Sequence, residues 1–442
     1  MSYEHQGSLE FQLVMAILAA DFDPKCQERC HALLQAGVDW DRVIALADHG
    51  GVACTFMHNL EMVRGTTPCP ESKISSLRER GRAAVRRTEQ SVARARQVDH
   101  TLRRKAIVPV FSKGLPMHPL MPLPGLRRMC DVDVWVAHDQ FEATLDVLEE
   151  ELGYAIWGPS DFRPDVLQLR NDRSRRNTLP NRGHVEQLAR RSDGGEFESV
   201  DLNTTRKHYE LWLVDVSEVI QDARPVVVQG EEFLVPSDED HVVLLCDHLH
   251  GHQVEHPTDL RVGIKGASEL YRYVVLRGSS ICWSRVAEKA IRYAAAHRAA
   301  WARVEGDALA FARSRKAFDD WLAPAYLDPL AGLLFGMEAL RVCYGFVAPP
   351  EIVAATAQVE PWLAHVYSHW APEDMIFFEW TGPLADRLCT DASGSITDLL
   401  DSGLLQERAR IPSWVARFLL IVGTAACAVA PESVSPSRAD CH

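Results

Sequence analysis

The stretch Arg127-Arg128-Met129-Cys130-Asp131-Val132-Asp133-Val134-Trp135-Val136 places two carboxylates one residue apart at the head of an apolar run. On a β-strand, residues two apart project to the same face. Asp131 and Asp133 are therefore expected to stand together, with Val132 and Val134 turned into a core. Paired carboxylates on a rigid strand suit a hard cation, Mg²⁺ or Mn²⁺, which takes oxygen ligands and bridges to substrate phosphates. Upstream, Val108-Pro109-Val110-Phe111-Ser112-Lys113-Gly114 reads as a short apolar strand ending in a small cationic turn. There Gly114 permits close backbone approach, the Ser112 hydroxyl can donate, and Lys113 offers a point charge for β- and γ-phosphates. Arg127 has the planar fork to grip the same phosphates with two hydrogen bonds. Strand, Ser-Lys-Gly turn, connector and Asp-x-Asp strand form a layout suited to nucleotidyl transfer from a nucleoside triphosphate.

The elements that must hold these residues can be read along the chain. Residues 1–105 are expected to form an N-terminal helical lobe, with three or four short helices over 9–64 and a long helix over 71–105. Leu77, Ala84, Val85, Val92, Ala95, Val98 and Leu102 share one side of that helix. Its other faces carry many arginines, which fit either a solvated amphipathic surface or a basic wall beside a nucleotide or acidic partner. Residues 106–225 read as an α/β core: strands at 107–112 and 131–136, a helix at 138–152, and a strand pair near 184–190 and 196–203 around the turn Ser192-Asp193-Gly194-Gly195. Residues 226–430 read as a larger, mainly helical C-terminal lobe, and 431–442 as a disordered tail.

Bulk properties exclude some functions. The chain has 442 residues, 47% of them hydrophobic and 24% charged, enough for two or three lobes around sizeable cores. Its net charge of −14 argues against a long nucleic acid as partner, because sequence-independent binding needs a cationic surface. The surplus acid suits a site that needs a divalent cation before it can accept phosphates. Eleven cysteines occur without a CxxC pair and read as buried free thiols. The polar, charged opening Met1–Glu10 carries no secretory signal, and the run Trp414–Ala430, interrupted by Arg417, is short for a membrane span. The expectation is a cytoplasmic protein with no membrane partner.

From Lys105 to Tyr154 the chain resembles the nucleotidyltransferase superfamily, and within it a bacterial branch of uncharacterised nucleotidyltransferases. That branch pairs a strand ending in Leu-Lys-Gly with Pro-Gly-x-Arg, Asp-hydrophobic-Asp and a later Gly-Tyr. Here those positions are Ser112-Lys113-Gly114, Pro124-Gly125-Leu126-Arg127, Asp131-Val132-Asp133 and Gly153-Tyr154. The branch then has a hairpin whose second strand ends in an acid, an apolar residue and a histidine. Glu198-Ser199-Val200-Asp201-Leu202-Asn203 fits, with Asn203 in place of the histidine. The resemblance implies a small mixed sheet between helical lobes. It also implies that Asp201 is the third carboxylate, completing the metal cage with Asp131 and Asp133 and accepting the proton of the attacking hydroxyl.

The expected activity is Mg²⁺-dependent transfer of a nucleoside monophosphate from an NTP to a small-molecule, peptide or protein acceptor. The Arg/Asn-rich loop 159–182 would favour an anionic acceptor or acidic peptide. One alternative is a non-catalytic relative that binds a nucleotide or partner chain through the same fold. A second is a metal-dependent hydrolase centred on His248, His250, His252 and a nearby acid, with His256 following the cluster. That cluster could bind zinc, but its spacing matches no closed zinc-site pattern, and His248 reads as structural or cleft-lining.

Overall fold

A computed structural model describes residues 9–19, 21, 23–63, 71–123, 125–129, 131–156, 184–191, 197–208, 211–255, 261–311 and 329–359. Pro124, the loop 159–182, the turn 192–195, His256, the run Trp414–Ala430 and the tail 431–442 lie outside the described residues. The chain opens with helices α1 (Leu9–Ala19), α2 (Pro24–Ala36), α3 (Trp40–His49), α4 (Ala53–Val63) and α5 (Glu71–Arg104). Strand β1 (Val110–Phe111), the single turn α6 (Gly114–Met117), β2 (Asp131–Trp135), α7 (Phe141–Glu150), β3 (Ala155–Ile156), β4 (His184–Arg191) and β5 (Phe197–Asn203) follow. Next come β6 (Thr205–His208), β7 (Leu211–Asp215), α8 (Val216–Gln221), β8 (Arg224–Val228) and β9 (Glu231–Val235). Helices α9 (Asp238–Glu255), α10 (Gly266–Arg277), α11 (Trp283–Phe311), α12 (Pro329–Tyr344) and α13 (Pro350–Thr356) complete the described fold.

The main sheet has the order β1-β2-β5-β4-β3. Its central strand β5 runs parallel to β2, and every other pair in it is antiparallel. Alternation along β2 sends Val132 and Val134 into a core with Val200 and Leu202 of β5, Phe141, Leu145 and Leu148 of α7, and Val92, Ala95, Val98 and Leu102 of α5. The opposite face carries Asp131, Asp133 and Trp135, and Trp135 packs with Val110 under Val216 and Val219 of α8. One sheet face thus closes on helices, while the other keeps carboxylates beside a small apolar patch.

Strand β1 is shorter than the 107–112 expected. Ala106 takes φ +60, and the Ile107 amide donates to Leu102 O, so these residues close the end of α5 before any strand pairing can begin. The hairpin β8–β9 turns at Gln229-Gly230, both with positive φ. It spans the 225/226 boundary, and its Val228, Phe233 and Val235 join the core of the main sheet.

The helical segments on either side of the sheet region share one hydrophobic core. Leu13, Ile17, Leu34, Leu46, Phe56 and Leu60 of α1–α4 pack in the same cluster as Val242, Leu249, Leu270, Tyr273, Leu333 and Leu340 of α9–α12. Helix α5, about 51 Å long at 1.5 Å per residue, belongs to both cores: Ile74 and Leu77 lie in the helical one, and Val92 to Leu102 in that of the sheet. Several of its arginines are tied to acids on neighbouring elements: Arg78 to Glu61, Arg80 to Asp48, Arg94 to Glu198 and Arg96 to Glu231. Among the described residues, no helix is long and apolar enough to cross a membrane.

Gly125 shows why the Pro-Gly-x-Arg segment needs its glycine. It holds φ +83, and a Cβ there would lie 2.4 Å from the Val85 Cα of α5. Gly125→Ala is expected to lose about 2–4 kcal/mol from backbone strain and overpacking together. Urea unfolding measures this, and a loss under about 1 kcal/mol would show that α5 moves aside freely.

Candidate active site

Register brings the sequence-expected carboxylates to one place on the sheet. Asp133 pairs with Asp201 across the parallel β2–β5 ladder, and Asp131 pairs with Ser199 two residues back. Asp131, Asp133 and Asp201 therefore share a face. Asp133 is buried, whereas Asp131 and Asp201 are half-buried. The Ser112 amide donates to Asp133 O, so the Ser-Lys-Gly turn is pinned to the end of β2 that carries the acids.

Lys113 points its charge at this face. Its Nζ stands 2.6 Å from Asp133 Oδ1, with the Lys113 side chain 32% exposed and that of Asp133 5%. It holds φ +49 and ψ −82, a backbone conformation that L-residues rarely take. Burial opposes its charge, but Asp133, Asp201 and Asp131 outweigh burial and hold the ammonium firmly protonated. For Asp133, burial pushes the carboxyl up, the Lys113 cation pulls it down, and Asp131 pushes it up again, with a net rise. One ammonium facing three carboxylates leaves surplus negative charge.

Arg127 reaches the same turn from the other side. A Cβ on Gly114 would stand 2.9 Å from Arg127 Nη1 and 2.7 Å from Met129 Cε, so glycine lets both side-chain ends close on the turn without shifting. The other edge of the fork is taken by Glu269 of α10: Nη2 donates to Oε2 at 3.0 Å, and Nε stands 3.0 Å from Oε1. Burial pushes the Glu269 carboxyl up, Arg127 and Lys265 pull it down, and the net is below the usual range. Arg127 thus ties the approach to β2 to the C-terminal helices. Two buried side chains of α5 hold that approach from behind: Thr88 Oγ1 donates to Arg127 O and accepts from Met129 N, and Ser91 Oγ donates to Met129 O. Glu269, Thr88 and Ser91 were not singled out by sequence reasoning. Glu269 lies far along the chain, and the two hydroxyls sit within an arginine-rich helix.

The donor set suits a hard cation. Three carboxylates share one face, and Asp133 Oδ1, although ion-paired, is buried without an aligned hydrogen bond. The side chains do not converge on a single point, however. Among the described residues, no three His, Cys, Asp or Glu side chains, these included, are grouped closely enough to hold a metal ion. The same statement covers His248 and His250, which are spaced along α9, with His250 packed on Phe335. The side chain of His252 lies outside the described residues.

A model of the uncharacterised nucleotidyltransferase family matches residues 36–303, more than half of the 442-residue chain. The chain belongs to that family. No curated protein and no solved structure matches it. The region matched by the nucleotidyltransferase family model runs from the end of α2 into α11, so it takes in the sheet, the Arg127–Glu269 pair and much of the shared helical core.

His241 of α9 lies within the same charge network. It is buried, its ring is 4.4 Å from that of Tyr273, and neither ring nitrogen has a hydrogen-bond partner among the described residues. Burial, then the Arg224 and Arg127 cations, push its pKa from 6.5 down to about 3, against the opposing pull of Asp238. Between those values the unfolded chain binds a proton that the folded chain refuses, so stability falls as pH falls through this window. Asp238, held down to about 2, adds its own loss only below its ordinary 3.8. Going from pH 7 to pH 4.5, His241→Leu is expected to lose about 2–3 kcal/mol less than the native chain. Urea unfolding at the two pH values checks this, and parallel losses would remove His241 from the account.

Proposed function

We propose that this chain is a divalent-cation-dependent nucleotidyltransferase that moves a nucleoside monophosphate from an NTP to a small-molecule, peptide or protein acceptor. The observation that carries the reading is the in-register Asp133–Asp201 pair, with Asp131 on the same face and Lys113 set against it. Asp131, Asp133 and Asp201, which are not gathered at one point here, would have to draw together to hold Mg²⁺ or Mn²⁺, and the ion would then supply charge neutralisation at the phosphate oxygens. Lys113, Gly114 and Ser112 receive the β- and γ-phosphates, and Arg127 offers them its Nη1 edge while Glu269 fixes the guanidinium plane. Asp201 takes the proton from the acceptor hydroxyl. The acceptor oxygen bonds to the α-phosphorus, the bond from that phosphorus to its bridging oxygen breaks, and pyrophosphate leaves with the electron pair.

A second reading, a relative that binds nucleotide or a partner without transfer, draws on the carboxylates not being gathered at one point. One experiment separates the two. The full chain is incubated with α-³²P-labelled NTPs, Mg²⁺ and a metabolite or peptide pool, and label transfer is measured beside equilibrium nucleotide binding. Transfer that requires Asp133 supports the first reading. Saturable binding with no transfer to any acceptor supports the second.

A further inference from the structure

We propose that the cleft between α4 and α10 is a binding site for a dianionic phosphate group, lying behind Arg127 and separate from the Ser-Lys-Gly turn. The carboxylates of β2 and β5 take no part in it.

Four cations line the cleft: Arg127 and Arg128 ahead of β2, Lys265 immediately before α10, and Arg272 within α10. Two acids answer them. Asp21 binds Arg272, and Glu269 is shared between Arg127 at 3.0 Å and Lys265 at 3.6 Å. Arg128 is exposed and has no acid partner among the described residues. Two positive charges are thus left over, in a chain whose net charge is −14. Inorganic phosphate or a phosphate monoester brings about two negative charges near neutral pH and matches them, whereas a carboxylate brings a single one.

The donors are of the right kind. Guanidinium forks suit phosphate oxygens. Val52 and Thr55, at the N-terminus of α4, line the same cleft, and the first helical hydrogen bond of α4 runs from the Phe56 amide to Val52 O. The amides ahead of it are not spent within the helix and bring a partial positive charge. Arg127 Nε and Glu269 Oε1 are both buried and, although 3.0 Å apart, make no aligned hydrogen bond. A polar N–H on a residue of the cleft wall therefore lacks a well-placed acceptor. The deep part of the cleft is small, 20 Å³, which suits a group the size of a water molecule. A phosphate oxygen fits there, with the rest of the group held by Arg128 and Lys265, while a base or sugar ring is too large. Lys265 keeps 31% of its side chain exposed and can turn from Glu269 to the phosphate, which leaves Glu269 to Arg127 alone. Occupation of the cleft would thereby steady the guanidinium whose Nη1 stands beside Gly114.

The test titrates inorganic phosphate, and separately phenyl phosphate, into the full chain by isothermal calorimetry, without nucleotide or divalent cation and at constant ionic strength. Saturable binding is expected. Arg128→Gln and Lys265→Gln, both at solvent-reaching side chains, should each weaken it by about tenfold or more, while Lys113→Met should change it by less than about twofold. Thermal unfolding gives a second readout: phosphate should raise the Tm of the native chain and of Lys113→Met, and leave that of the Arg128→Gln, Lys265→Gln double variant unmoved. Tighter binding of phenyl phosphate would assign the site to a phosphorylated ligand, and tighter binding of inorganic phosphate to the free ion. Binding lost in Lys113→Met and kept in Arg128→Gln would put the phosphate at the Ser-Lys-Gly turn and overturn the proposal. Absence of saturable binding to the native chain would overturn it as well. None of these readouts involves transfer, so the proposed activity stands or falls separately.

Discussion

Asp133→Asn should slow nucleotidyl transfer by about a thousandfold, or about 4 kcal/mol of transition-state stabilisation, while nucleotide binding persists in part. Asp133 is the buried member of the carboxylate set and the one in register with Asp201. An amide of nearly the same shape keeps the packing of β2 but removes a full negative charge from the face that must neutralise and position phosphate. Lys113 and Arg127 remain, so the triphosphate still finds cations. Label transfer measured with Mg²⁺ in excess, beside equilibrium dialysis of the nucleotide, checks both halves. Unchanged turnover would remove Asp133 from the chemistry.

Breaking the Arg127–Glu269 pair should cost about 3–5 kcal/mol of stability from either side. Both side chains are largely buried, 9% and 13% exposed, so Glu269→Gln leaves a guanidinium with too little compensation and Arg127→Met leaves a carboxylate in the same plight. Lys265, 3.6 Å from Glu269 Oε1 and 31% exposed, can soften only the second loss. Replacing both by Arg127→Met and Glu269→Leu should recover most of the stability, because the desolvation of both charges is then avoided. Recovery of activity is not expected if Nη1 grips the phosphates as proposed, since the double variant lacks it. Urea unfolding of the two single variants and the double variant forms the cycle. Additive losses would mean that the two residues act separately.

The local features of this site were legible in the sequence. The alternation Asp131-Val132-Asp133-Val134 defines a strand with acids on one face and valines on the other, and β2 is built that way. The apolar stripe of α5 defines a long helix, and its bounds of Glu71–Arg104 fall where the periodicity runs out. Less was legible at long range. The pairing of Asp133 with Asp201 could be anticipated only from the family resemblance, because nothing in either strand specifies its neighbour. Glu269 carries no local mark of its partner, and its helical surroundings read as ordinary amphipathic sequence. Thr88 and Ser91 look like solvent-facing hydroxyls until the 127–129 segment is laid across them. The short β8–β9 hairpin, turning on Gln229-Gly230, offers too few alternating residues to stand out from the helices that follow.

The shared helical core also has a consequence for how the chain is made. Phe11 and Leu13 to Ala19 of α1 are all buried, and part of their cover comes from α10 and α12. Those helices leave the ribosome some tens of seconds after α1, at about 5–20 residues per second. Throughout that interval the main shelter of this almost wholly apolar helix, among the described elements, is α2, α3 and α4. A nascent chain arrested at the end of β9 should therefore be aggregation-prone and bound by chaperones. Release should follow as α10 and α12 emerge: α1 is made long before part of its cover.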